Sequence, residues 1–300
     1  MMRNFLLILT LLFVACVPRQ ASQQSAGVAN AATLAQMRFH CDSDTVAINR
    51  LLMDGMESGL TDANDLVAYY AHRLLGTPYV AHTLEGDTEA LTINVHELDC
   101  TTFVETLYAL ARTTMNRRYS WRDYAANLEN LRYRGGVMGD YSTRLHYISD
   151  WIVDNRMRGN LVEATPDLPH AASLIKDINF MSTHAASYRQ LKGDSAMTAK
   201  IRNVEVGYRN HRIPYLKRTW LNDKNVKAAL RSGDFIGLVC NIDGLDVSHM
   251  GIVIVDDKGD PYLLDASMSG GKVMLEEKNL YKYLDRSKTT IGIRIFRMTP

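Results

Sequence analysis

Cys100 has the clearest chemistry in the sequence, because of the residues around it. The stretch Leu98 to Glu105 reads LDCTTFVE. Asp99 is a strong N-cap type and stands immediately before a helical apolar pattern at Phe103, Val104, Leu107, Leu110 and Ala111. That spacing puts Cys100 at the first helical position, where free backbone N–H groups and the helix dipole stabilise an anion. A sulfur held there is set to act as thiolate, the nucleophilic form. Far along the chain, VSHMGIVIV places His249 at the head of a β-rich apolar strand, so a general base is available from a distant element. A free cysteine taken alone is as readily a small buried hydrophobe.

Competing chemistries are weaker. His96, Asp99 and Cys100 could suggest zinc, but no second Cys/His pair stands at ligand spacing, so neither a metal nor another cofactor is expected. Glu97 and Asp99 are acidic neighbours, yet nothing sets them on opposite sides of a cleft as a glycosidase pair requires. Cys240 lies in the apolar run DFIGLVC with no helix start behind it and reads as core. Cys41 and Cys240 could pair and leave Cys100 free, or both could remain thiols.

The elements that must position this pair follow from apolar periodicity. Helices are expected over 42–59, 61–75, 121–131 and 146–155, together with the one that Cys100 opens and that runs to about Met115. Gly76 and Pro78 end the second of these and open a loop. Residues 91–95 read as a short strand. The middle, 132–216, mixes a further helical piece at 173–179 with extended ones at 161–164 and 200–206. From Asp234 onward strands dominate, at 235–241, 249–255, 261–266, 272–275 and 291–297, with a short helix over 279–284. Helices first and an antiparallel sheet last give an α+β fold, with helices packed on the sheet and a mid-chain insertion around 120–230.

Composition excludes some partners. With 46% hydrophobic and 22% charged residues and a formal net charge of +1, the chain lacks the basic excess of a nucleic-acid binder. Its start is a different matter. Arg3 precedes an apolar run from Phe5 to Val17, too short for a permanent membrane span and typical of an export signal. The run ends in Phe13-Val14-Ala15-Cys16, which resembles a bacterial lipobox although Phe13 replaces the usual Leu. Residues 1–16 therefore read as a lipoprotein signal peptide, 17–35 as a linker, and 36–300 as one folded domain. A lipid on Cys16 would tether an exported protein to a membrane facing the periplasm, its only expected membrane association.

Ordered matches carry a family resemblance. Gly76-Thr77-Pro78-Tyr79-Val80 resembles the GTPYVWGG segment that precedes the DCSG motif of NlpC-type cell-wall cysteine peptidases, and SHMGIVI resembles their HVGIYI strand. A helix-terminal cysteine with a distant strand histidine is also the arrangement of papain-like cysteine hydrolases. GTPYVAHTLEG, LDCTTFVETLYAL, RYRGG at Arg132 to Gly136, STRLHYISDWI at Ser142 to Ile152 and GLDVSHMGIVI occur in one order. Together they resemble the N-acetylmuramoyl-L-alanine amidase-like family, a long-insertion branch of the NlpC-type group, from about residue 40 to the end.

That resemblance implies a papain-like core and hydrolysis of the amide joining the lactyl group of N-acetylmuramic acid to L-alanine. The implied partners are muropeptides, small anhydromuramyl fragments in preference to intact peptidoglycan. It places the nucleophile at Cys100, the base at His249, and at Tyr79 the tyrosine that reaches over the nucleophile. The third position departs from the family, which commonly has His, Asn or Gln where this chain has Asp265 in LLDAS. A carboxylate can still hold the distal imidazole nitrogen and favours the imidazolium. Thr101 and Ser248 flank the catalytic pair and are candidate pocket residues. Arg144, expected on a helical face, suits the stem-peptide carboxylates of such a substrate. Two alternatives remain open: a D-glutamyl-diamino acid endopeptidase, and a muropeptide-binding lipoprotein without turnover.

Overall fold

A computed structural model describes residues 36–300; the expected signal peptide, lipobox at Cys16 and linker lie outside the described residues. The elements run β1 (Met37–Phe39), α1 (Asp44–Glu57), α2 (Ala63–Arg73), β2 (Leu91–Ile93), α3 (Cys100–Met115), α4 (Trp121–Arg132) and α5 (Ile148–Met157). The middle of the chain adds β3 (Leu161–Glu163), β4 (Ala172–Lys176), α6 (Phe180–Thr183), α7 (Ser195–Val206), β5 (His211–Lys217) and α8 (Lys224–Ala229). The last part is β6 (Phe235–Cys240), β7 (Val247–Val255), β8 (Pro261–Ser267), β9 (Lys272–Asn279), α9 (Leu280–Leu284) and β10 (Thr290–Met298). The main sheet has the order β4-β5-β10-β6-β7-β8-β9, with β3 also on β10 and neighbours antiparallel. Helices and an antiparallel sheet make the fold α+β, as expected.

Both faces of the sheet are covered, which explains why β6 is an unbroken apolar run with every residue buried. On one face Phe235, Val239, Met250, Ile252 and Leu264 join the residues of α1 to α5 in the largest core. On the other, Ile236, Leu238, Val253 and Leu263 pack with Val226 of α8 and with Leu280 and Leu284 of α9. A third cluster, including Tyr147, Met181 and Ile201, packs the middle of the chain.

α3 lies at the centre of the first core. Its apolar positions and also Thr102, Glu105 and Thr106 are buried, so it meets neighbours on all sides: α1, α2 and α4, and strands β7 and β8. The one charged group this buries, Glu105, is held by Arg132 of α4 at 2.7 Å, both side chains 3% exposed. A buried carboxylate needs such a partner.

Two mid-chain expectations are corrected. Residues 173–179, read as helical, hold strand β4, because β5 supplies an antiparallel partner from Ala172↔Tyr215 to Lys176↔His211. That pairing is non-local and leaves no periodicity to read. Residues 200–206, read as extended, belong to α7. Asp194 caps that helix by accepting from the Met197 amide at 2.8 Å, and Ile201 and Glu205, four apart, form its buried stripe. The helix expected from His146 begins at Ile148.

β7 and β8 approach closely at Gly251. A Cβ there would stand 2.8 Å from the Leu264 carbonyl oxygen and 3.0 Å from the Asp265 Cβ, separations that side chains do not tolerate. Gly251 is therefore a spacing requirement between the strands that carry His249 and Asp265. Gly251→Ala should destabilise the fold by about 1–3 kcal/mol as the strands are pushed apart and lower activity beyond that loss. Equilibrium denaturation with steady-state kinetics checks this; an unchanged midpoint and rate would show that the strands have room.

Candidate active site

The N-terminus of α3 is capped as its sequence demands. The Asp99 carboxylate accepts from the Thr102 amide at 2.8 Å, and the Thr102 hydroxyl accepts from the Asp99 amide at 2.8 Å, a reciprocal capping box. Cys100 follows as the first helical residue, partly exposed, its Sγ 4.0 Å from the Thr101 hydroxyl.

His249 comes to this cysteine from β7. The strand is bulged just before it: Leu238 of β6 pairs with His249 and Val239 with Val247, leaving Ser248 as the extra residue. Bulges re-aim neighbouring side chains and bend the strand. The His249 Nε2 meets the Asp265 carboxylate, and Cys100 is near enough to the ring to raise its proton affinity. Nδ1 is thus the nitrogen left for the thiol. Asp265 is fully buried, whereas the His249 side chain is 21% exposed.

Burial alone would lower the proton affinity of His249. The hydrogen bond that the imidazole donates to Asp265, then the interaction with Cys100 and the charges of both, overcome it and push the imidazole up to about 10. More negative charge stands behind Asp265. Glu276 of β9 accepts from Ser267 at 3.2 Å and is raised, first by burial and then by Asp265. The Tyr283 phenol is pushed up to about 12 by burial, Asp265 and Glu276. Sequence reading singled out neither Glu276 nor Gly251; both act through β-sheet neighbours that only strand register reveals.

Tyr79 is docked by its backbone. Its amide donates to Gly271 at 2.9 Å, and the Pro78 carbonyl accepts from Leu98 at 3.0 Å, two residues ahead of Cys100. Its phenol is raised by burial and then by the nearby Cys100 and Asp99. Cys100, Thr101, His249, Asp265 and Tyr79 are therefore brought together. Ser248 is exposed at the bulge, its hydroxyl donating toward the Leu238 carbonyl at 3.5 Å.

Arg144 requires a correction. It lies in an extended turn, and its guanidinium is already neutralised inside the protein. Nε and Nη2 bond Glu89 at 3.0 and 2.6 Å and Nη1 bonds Glu85 at 2.9 Å, with the residue 7% exposed. It pins the loop that follows Tyr79, leaving little of the fork for a ligand carboxylate. Arg134, with its paired glycines in left-handed turn conformations, is likewise engaged by Asp150 at 2.6 Å. The trio His96, Asp99 and Cys100 does not assemble, because Asp99 caps α3 while His96 turns toward Asp44. Cys41, Cys100 and Cys240 are all free thiols, and Cys240 is buried core.

A family model described as N-acetylmuramoyl-L-alanine amidase-like matches residues 69–293, a span containing Tyr79, Cys100, His249 and Asp265. The chain belongs to the N-acetylmuramoyl-L-alanine amidase-like family. Among solved structures, an N-acetylmuramoyl-L-alanine amidase from Bacteroides uniformis is 34% identical, with 79% of this chain and 99% of that one covered and a TM-score of 0.75. A Bacteroides fragilis protein provisionally named a xylanase is 38% identical over 77% of this chain and 100% of its own, with a TM-score of 0.72. A Legionella pneumophila protein shares the fold at 23% identity, covering 85% of this chain and 95% of its own, with a TM-score of 0.64. No protein of curated function matches the chain.

For this amidase-like protein two outcomes follow. Arg144→Ala leaves Glu85 and Glu89 without their buried partner and should cost about 3–5 kcal/mol in stability. A raised KM with an unchanged unfolding midpoint would restore Arg144 to ligand contact. The second concerns pH. A base raised above its ordinary value keeps its proton until pH climbs through the raised value, so turnover that uses imidazolium should hold to alkaline pH and fall near about 10. The stabilisation from that proton is complete below about 6.5 and lost on the same rise. Asp265→Asn should pull the alkaline limb toward neutrality and lower kcat by about ten- to ten-thousand-fold, with KM little changed. An alkaline limb left in place in that variant would show that Asp265 does not govern the base.

Proposed function

We propose that this protein is a cysteine amidase that hydrolyses the N-acetylmuramoyl-L-alanine bond of peptidoglycan fragments, with anhydromuramyl peptides as its preferred substrates. The observation that carries the reading is the alignment of a helix-terminal Cys100, His249 and buried Asp265 in a member of an amidase-like family. A papain-like, NlpC-type core formed by α3 and strands β6 to β9 within one domain, 36–300, is the fold reading that accompanies it.

In the proposed reaction Cys100 Sγ attacks the lactyl carbonyl carbon while His249 holds the proton on Nδ1. The C–N bond breaks as that proton passes to the alanine nitrogen, which leaves as the free amine of the stem peptide. His249 then takes a proton from water, whose oxygen attacks the thioester, and the muramic acid carboxylate departs as the thiol is restored. The Cys100 amide, at the first helical position without an intrahelical acceptor, and the Tyr79 hydroxyl are the donors proposed for the oxyanion. Asp265 keeps the ring oriented and cationic. Thr101 and Ser248 are proposed to line the approach.

Two observations argue against other classes. A binding protein has no use for a helix-terminal thiol beside an imidazole that a buried carboxylate holds. The glycosidase suggested by one neighbour's name finds Asp99 engaged in the helix cap and Glu97 beside His40 at 3.6 Å. The apolar N-terminal run supports an exported enzyme, and we propose that Cys16 carries a lipid anchor that holds it facing the periplasm. Among the described residues no helix is long and apolar enough to cross a membrane.

The test is mass spectrometry of anhydromuramyl tripeptide after incubation with the protein and with its Cys100→Ala variant. Release of intact tripeptide by the wild type alone is expected. Release of the terminal diamino acid would make the protein an endopeptidase, and no cleavage would make it a binder. Chelation with EDTA should leave the rate unchanged, whereas alkylation of Cys100 should abolish it.

A further inference from the structure

A second cluster of ligand-type side chains lies ahead of α3, outside the machinery above. Cys41, Asp44 and His96 each offer one donor atom, and the three atoms lie within 4.8 Å of one another. His96 Nε2 is 3.7 Å from Asp44 Oδ1 and 3.3 Å from the Ser43 hydroxyl, which is itself 3.1 Å from Cys41 Sγ. Asp44 is fully buried. One of its oxygens accepts from the Cys41 amide at 2.9 Å, while Oδ1, the oxygen facing His96, is buried with no hydrogen-bond partner.

An unsatisfied buried carboxylate oxygen is costly, and a cation is the group that most fully compensates it. We propose that Cys41, Asp44 and His96 form a binding site for a divalent transition metal of zinc type. Thiolate, imidazole and carboxylate together suit zinc over the hard cations, which take oxygen ligands. Ligand atoms around zinc stand about 3.3–3.8 Å apart at the usual bond lengths. Cys41 and His96 are partly exposed, so side-chain rotation can close the wider gap. The fourth position falls to water. Binding releases the Cys41 thiol proton to solvent and involves no electron transfer.

The site would join two segments remote in sequence. Asp44 opens α1, and Cys41 lies in the turn just before it. His96 sits in the loop from β2 to Asp99, where the Asn94 side chain accepts from the His96 and Glu97 amides at 2.9 and 3.0 Å. A metal there would brace the segment that delivers the cap of α3, a stabilising role separate from the chemistry of Cys100.

The test uses the full chain with Cys16 and Cys100 both replaced by Ala, so that neither can bind metal, titrated with Co²⁺ under reducing conditions. One cobalt per chain should bind, with a thiolate-to-cobalt charge-transfer band and the intense visible bands of a four-coordinate ion. Zn²⁺ should displace it and raise the unfolding temperature. Cys41→Ser should remove the charge-transfer band, and His96→Gln should weaken binding at least about tenfold. The metal-free variants should keep the parent's circular dichroism and melting temperature, so that the lost response is not misfolding. Only weak six-coordinate bands, or a charge-transfer band that survives Cys41→Ser, would overturn the site.

Discussion

The packing of one buried helix against two strands is the constraint on which the rest of this structure depends. α3 has neighbours on every side, so its N-terminus cannot move independently of β7 and β8. A helix in solvent would leave its first amides to water. Here the capping box satisfies the Thr102 and Asp99 amides and presents Cys100 at the partly exposed end of an otherwise buried element. The precision this gives to the sulfur comes from the core, not from the loop before it.

The sheet contributes the complementary half through two local irregularities. A bulge at Ser248 re-aims the strand just before His249, and the absence of a side chain at Gly251 lets β8 close in so that Asp265 reaches the imidazole. Behind that contact, Glu276 and Tyr283 add negative or polar character around a fully buried carboxylate. Such an arrangement favours a proton on His249. It also accounts for a buried aspartate at this position: its charge is built into the site, with an imidazolium to answer it.

What the sequence revealed divides along physical lines. Asp99 before a 3.6-residue apolar pattern is a local rule, and the helix begins where that rule says. Strands such as β6 were legible because covered strands are continuously apolar. β4 was not, because its partner β5 lies across α6 and α7, and Ser173 to Lys176 carry no preference that outweighs that pairing. α7 was missed because its stripe is short and its cap, Asp194, precedes the segment that drew attention. Arg144 shows the limit of reading function from residue type. A guanidinium suits any carboxylate, and Glu85 and Glu89 sit in a loop whose return to Arg144 no spacing predicts.

The central claim is that Cys100 carries the acyl group during turnover. Rapid acid quenching of the wild-type protein with anhydromuramyl tripeptide, followed by peptide mapping, addresses it at the bond itself. The prediction is a lactyl thioester of the muramyl group on the peptide containing Cys100, absent from Cys41 and Cys240 and hydrolysed on longer incubation. Free tripeptide accumulating with no adduct on Cys100, or with an adduct on another residue, would contradict it.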